Sequence, residues 1–153
     1  MAVGDITRGA QVALANVARL HSIANGVAEA FGEVAGAGEM SNSVEFVIPI
    51  NALSTAGSYD MYMVSSQDGA KWTDNIDPAT TGDVVGKISD AKFLFSASTV
   101  YDATDRTEVS KVVSIPMIAN AQYFGFVLVN NSGQAIPATG ASGNSRTLKL
   151  NVA

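Results

Sequence analysis

Residues 121–130 read AQYFGFVLVN and run into the turn Asn131-Ser132-Gly133. In an extended chain Tyr123, Val127 and Val129 fall on one side and Phe124, Phe126 and Leu128 on the other, with aromatic and β-branched residues prominent. This is the strongest strand signal in the chain. Gly125 stands in its middle, where a residue without a side chain implies a bulge or a close crossing over a bulky neighbour. Upstream, Thr107–Ile115 places Val109, Val113 and Ile115 on one face, interrupted by Lys111, with Val112 opposite and Pro116 closing the segment. Ala91–Ser98 centres on Phe93, Leu94 and Phe95. Gly57–Ser66 divides into Tyr59, Met61, Met63 and Asp60, Tyr62, Val64, and ends in the turn Gln67-Asp68-Gly69-Ala70. Ser43–Ile50 sets Val44, Phe46 and Ile48 on one face, and Pro49, which has no N–H for a ladder, marks its end or an edge. Downstream, the loop Thr139–Gly143 precedes a last strand with Arg146, Leu148, Leu150 and Val152 facing one way and Thr147, Lys149 and Asn151 the other.

Six or more short strands, divided by turn signals and without long amphipathic helices between them, specify an all-β two-layer sandwich of jelly-roll or Greek-key type. Residues 1–40 differ, being rich in Ala, Gly and Val. Val12, Leu14, Val17 and Leu20 recur at roughly helical spacing in Ala-rich sequence. Against a helix, Asn25-Gly26 is a type I′ hairpin signal, followed by an imperfect alternation from Val27 to Val34. Residues 1–34 are therefore read as a small-residue-rich N-terminal arm and first strand, and 35–153 as the sandwich, one domain in all. The apolar residues of the arm, from Ile6 through Phe31 to Val34, are too regular for a solvated tail. They suit a segment laid against a sheet, a neighbouring subunit or another surface, or else a short helix over the protein's own sandwich.

The chain has 153 residues, the size of one domain, with 14 acidic and 9 basic residues and a formal charge of −5. That balance speaks against non-specific nucleic-acid binding, which needs clustered Lys and Arg. There is no cysteine, which excludes disulfides, thiolate metal sites and cysteine nucleophiles. MAVGDITRGAQVALANVARL lacks the ordered parts of a secretory signal, and no stretch approaches eighteen strongly apolar residues, so no membrane span is expected.

Candidate chemistry is sparse. His21, the sole histidine, has no G-x-S-x-G serine to serve and reads as a surface or interface residue. Asp74 and Asp77, Asp102 and Asp105, and Asp68 could form acid–base pairs or a loop calcium site, but none has EF-hand spacing. The plainer reading is that they cap turns through bonds to backbone N–H groups. Gly36-Ala37-Gly38 lacks the Lys and Ser/Thr of a phosphate loop. Tyr59, Tyr62, Trp72, Tyr101 and Tyr123 could supply a sugar-stacking face, yet most suit a strand or core. Trp72, beside the Asp68-Gly69 turn, is the one placed as an exposed ring or as a plug at the end of the sandwich. No catalytic, cofactor-binding or metal residue is assigned, no cofactor is expected, and the chain is not read as an enzyme.

Three segments carry a resemblance. Ser65-Ser66-Gln67-Asp68-Gly69-Ala70-Lys71-Trp72-Thr73-Asp74 is similar to a strand-turn element of small proteins from the structural gene modules of tailed bacteriophages. Leu20–Ala28, with Ala24-Asn25-Gly26, resembles that family's opening strand, and Phe124–Gln134 its penultimate strand and turn. Residues 1–19 and the charge-poor stretch Glu33–Met40 depart from the pattern. The resemblance is to jelly-roll capsid decoration, or cement, proteins. It implies a virion structural protein on the outer capsid surface, with the major capsid protein as partner and a homo-oligomer, a trimer, as its form. The alternative is a carbohydrate-binding or tail-associated adhesin module, motivated by Trp72 and the Asp-rich loops around it.

Overall fold

The computed structural model describes residues 5–35, 41–116 and 123–150. Gly36-Ala37-Gly38, Asn151 and Val152 lie outside the described residues. The elements in chain order are β1 (Ile6–Arg8), β2 (Val12–Ala13), a 3-10 turn (Val17–Leu20), β3 (Ala28–Ala35), β4 (Ser41–Pro49), β5 (Ser58–Ser66), a second 3-10 turn (Thr73–Asn75), β6 (Lys92–Ser98), β7 (Glu108–Pro116), β8 (Tyr123–Asn131) and β9 (Ser142–Leu150). One sheet has the order β1-β9-β4-β7, with β2 also paired to β9, and the other has β3-β8-β5-β6. All pairings are antiparallel. With β1 and β2 counted as two halves of one strand, the chain winds eight strands between two sheets in jelly-roll order. The fold is an all-β sandwich.

The core between the sheets is built by the alternation read from the sequence. Val44, Phe46 and Ile48 of β4 meet Tyr59 and Met61 of β5 and Phe124, Phe126 and Leu128 of β8, all buried. The Phe46 and Phe126 rings lie 4.8 Å apart, edge to face, the geometry the ring quadrupoles favour. Lys111 interrupts the inward face of β7 because β7 is an edge strand. Its ammonium lies 5.8 Å over the Phe95 ring, an inward charge that discourages edge-to-edge pairing. Asn42 is buried on β4 with neither amide atom hydrogen-bonded, and nothing in the described structure supplies its partner.

Several local expectations are corrected. The N-terminal segment forms no α-helix among the described residues and is not an arm apart from the sandwich. β1 and β2 pair with β9, and Leu14, Leu20 and Ile23 are buried in the main core. A boundary at residue 34 would fall inside β3. Asn25-Gly26 makes no type I′ hairpin: Val27 N–H donates to Ala24 at 3.2 Å and only Gly26 has positive φ, +81°. The turn leads from the 3-10 segment into β3 rather than joining two strands. β9 begins at Ser142, inside the expected loop, and turns Gly143 and Ser145 inward; the side chain of Leu14 packs against Gly143 and takes the space.

Two bulges shape the four-stranded sheet. In β3, Gly32 and Glu33 oppose the single residue Gly125, with Gly32 at φ +76°. The irregularity suggested by Gly125 thus lies in its partner, while Gly125 itself is the close crossing: a Cβ there would overlap the Pro78 ring. In β6, Phe95 pairs with Met61 and Phe93 with Tyr62, which leaves Leu94 unpaired.

Candidate functional site

Residues 67–91 connect β5 to β6 and fold across the outer face of the four-stranded sheet. Trp72, Ile76 and Val84 of this segment are buried against Ala28 and Ala30 of β3, Val64 of β5 and Val127 of β8. The sandwich therefore carries a second, smaller core outside one sheet. β8 is apolar on both faces because both are covered.

Backbone and side-chain bonds fix this cover. Its strip Gly82–Val84 closes the free edge of β3: Ala30 N–H donates to Gly82 at 2.8 Å and Val84 N–H to Ala28 at 3.0 Å. Asp74 accepts from the N–H groups of Ser89, Asp90 and Ala91 at 2.9–3.0 Å and so ties the start of the cover to its end. The Arg19 guanidinium donates to the carbonyls of Ala30, Pro78, Thr81 and Ala79 at 2.8–3.2 Å. Arg19 joins the N-terminal segment, β3 and the cover. The sequence had offered no sign of it, since an isolated arginine in an Ala-rich stretch reads as solvated.

Of the carboxylates considered for catalysis or calcium, Asp68, Asp77 and Asp102 cap local turns, and Asp74 makes the longer tie just described. Asp68 accepts from Ala70 and Lys71 N–H at 2.8 Å and from the Ser66 hydroxyl at 3.0 Å. Asp77 accepts from Ala79 N–H at 2.9 Å, and Asp102 from the N–H and hydroxyl of Thr104. Asp74 and Asp77 lie in the cover, whereas Asp102 and Asp105 lie in the β6–β7 connection. Among the described residues no group of three or more His, Asp and Glu is placed to hold a metal ion. His21 Nε2 accepts from Ala141 N–H at 3.2 Å. Tyr59 is buried and its hydroxyl donates to Pro49 at 2.8 Å; burial pushes its pKa up to about 12. Trp72 plugs the cover, with Nε1 donating to Gly69 at 3.2 Å, and presents no ring to a sugar.

These caps predict an acid limb of instability. The N–H groups of Lys71 and Ala70, with the Ser66 hydroxyl, hold Asp68 at about 2 instead of 3.8. Asp74 is lowered, most by Ser89 N–H, and Asp102, most by the Thr104 hydroxyl. A folded-state pKa below the unfolded value gives stability that is whole above the unfolded pKa and is lost as pH falls through the folded one. The urea midpoint should therefore fall as pH drops from 3.8 toward about 2, and Asp68→Asn should shallow that fall. Glu29 acts in the opposite sense. Burial and then Asp83 raise its pKa, against Arg19, so its protonation partly offsets the loss from above. A midpoint flat across that interval would refute the assignment.

Among the described residues no such cover lies on the outer face of the five-stranded sheet. A hollow of about 330 Å³ lies on it, lined by Arg8, Gln11, Ser43, Glu45, Val112 and Arg146 among others. Val112 is 65% exposed, a β-branched side chain left open in the middle of a strand.

No family model, curated protein or solved structure matches this chain. No helix among the described residues is long and apolar enough to cross a membrane.

Proposed function

We propose that this protein is a virion structural subunit, a decoration or cement protein on the outer surface of a tailed-phage head, with the major capsid protein as its partner and a homotrimer as its form. What supports the reading is a jelly roll, the fold that the resemblance implies, in which Ser65–Asp74 ends β5 and turns into the cover and Phe124–Gln134 is β8 with the turn after it, whereas Leu20–Ala28, compared with an opening strand, is turn up to Ala28. Two of them meet. Asn25 Oδ1 accepts from Gly133 N–H at 2.8 Å, Gly26 N–H donates to Asn130 at 2.6 Å, and Asn130 Nδ2 bridges Ile23 and Gln134. Asp68, Asp74, Asp77 and Asp102 are engaged in holding backbone N–H groups, which suits a protein whose work is shape and attachment. The bare outer face of the five-stranded sheet, with Arg8 and Arg146, is the surface such a role would use.

Purified protein mixed with undecorated capsids is expected to co-sediment at a fixed ratio. Arg8→Glu combined with Arg146→Glu should weaken that binding by about tenfold or more, in line with loss of a charge-complementary contact. Sedimentation equilibrium should give three chains. Absence of binding at every stage of capsid maturation overturns the role, and a monomer both free and on particles overturns the trimer. A truncation of residues 1–19 would remove β1, β2 and Leu14 together. Contact through the N-terminal segment is better probed at exposed Gln11 and Val12.

A further inference from the structure

The cover leaves part of the four-stranded sheet bare. There Phe93 stands 53% exposed, its ring edge to face with Tyr62 at 5.6 Å and 70°. In regular alternation Phe93 and Phe95 share a face. The bulge at Leu94 separates them, sending Phe95 against the core and pairing Phe93 with Tyr62 on the outer side. The bulge gives up one ladder pair and sets both Leu94 and Phe95 against the main core, and the cost falls on Phe93, whose ring is left outside with little burial.

Along the same face sits a hydrogen-bonded cluster. Asp60 Oδ1 accepts from the hydroxyls of Ser58 and Ser96, and Oδ2 from Asn131 Nδ2 at 2.7 Å. Asp60 is two residues from Tyr62 on β5 and opposite Ser96 on β6, which sets the cluster roughly 7 Å along the strand from the aromatic pair. Both serine hydrogens are spent on the carboxylate, so the serine oxygens offer lone pairs. Asn131 keeps its carbonyl oxygen and a second N–H.

We propose that this face is a binding site for a neutral saccharide, with the C–H face of one pyranose on Phe93 and its hydroxyls on the Asp60 cluster. Sugar hydroxyls bring the donors that an acceptor-rich cluster lacks, and an uncharged ring avoids the repulsion that the Asp60 carboxylate would exert on a phosphate or acidic sugar. A protein partner would call for a broader apolar centre than one phenyl ring. The site is independent of Trp72 and of capsid attachment.

Titration of the protein with methyl glucoside, methyl galactoside and an N-acetylglucosamine trimer, followed by the ring resonances of Phe93 and Tyr62, tests it. At least one of these should bind in the millimolar range. Phe93→Ala and Asp60→Asn should each weaken it by about tenfold, Phe93→Ala with the unfolding temperature unchanged, and Phe93→Tyr should retain it. The proposal is overturned if none of the three sugars shifts the ring resonances, or if binding survives both substitutions. It is likewise overturned if Phe93→Ala abolishes capsid co-sedimentation in a protein that binds no sugar, which would assign the ring to a protein contact. Sugar binding by a protein that ignores capsids would uphold this site while removing the role proposed above.

Discussion

Arg19→Ala is expected to destabilise the fold by about 3 kcal/mol, most of it through loss of the cover over the four-stranded sheet. Nη1 lies within hydrogen-bond distance of three carbonyls, those of Ala30, Pro78 and Thr81, and Nη2 reaches Ala79. Nη1 carries two hydrogens for three acceptors, so one is shared. Charge-assisted bonds are worth about 1.5–3 kcal/mol each when formed alone. The total stays well below their sum because Arg19 is only half-buried and water can reach the outer carbonyls. Ala30, fully buried, cannot be rehydrated without opening the edge of β3. The substitution also removes the one charge that opposes the burial of Glu29 and its repulsion from Asp83. Arg19→Lys should recover less than half the loss, because one ammonium cannot span carbonyls that a planar guanidinium bridges. Two readouts check this. The urea midpoint should fall with little change in slope, and hydrogen exchange should accelerate at the amides of Ala30 and Val84, which seal the β3 edge. A loss under about 1 kcal/mol, within the range of an ordinary surface substitution, would show that the guanidinium is not the clamp.

The strands were legible because their signals are local. Val44, Phe46 and Ile48, or Phe124, Phe126 and Leu128, alternate strictly and are buried as a set on the face the alternation assigns. The turn-capping role of the aspartates was legible for the same reason, since an Asx bond spans two or three residues. What escaped depends on distant partners. Arg19 acts on carbonyls up to 62 residues away, and the small side chains of Ala28 and Ala30 gave no hint of a second core until Trp72, Ile76 and Val84 were laid over them. A partial signal was present: Tyr123, Val127 and Val129 make the second face of β8 apolar, and an apolar face on each side of a strand requires cover on each side. The N-terminal residues misled because helix propensity and hydrophobic spacing agreed locally, whereas pairing with β9, some 130 residues later, decided the outcome. No face followed for Phe93 from the run Phe93-Leu94-Phe95, because one unpaired residue, Leu94, decides which way each ring turns. The bare patch Phe93 occupies was invisible to alternation.

Gly125→Ala is expected to cost about 3 kcal/mol, the upper part of the range for overpacking a core, although it adds one methyl group. The added Cβ would overlap Cγ of Pro78, lie 2.7 Å from its Cβ and approach the carbonyl oxygen of Phe31 to 3.3 Å. A flexible side chain could swing aside, but Pro78 is a ring, buried, with its carbonyl held by Arg19. Strand β8 cannot yield either. It is central in its sheet and its pairing with β5 runs without a break from Ser58↔Asn131 to Ser66↔Tyr123. Relief therefore comes from lifting the cover, which takes Trp72, Ile76 and Val84 away from the sheet together. Trp72 is the only tryptophan of the chain, so its fluorescence reports on the cover alone. Gly125→Ala should shift that emission to the red before global unfolding, and should lower the urea midpoint. Pro78→Gly removes the obstructing ring, and the double variant should be more stable than the sum of the two single effects predicts, a coupling of more than about 1 kcal/mol between groups in direct contact. Strict additivity would place the cost of Gly125→Ala in backbone conformation rather than in the crossing of Pro78 over β8.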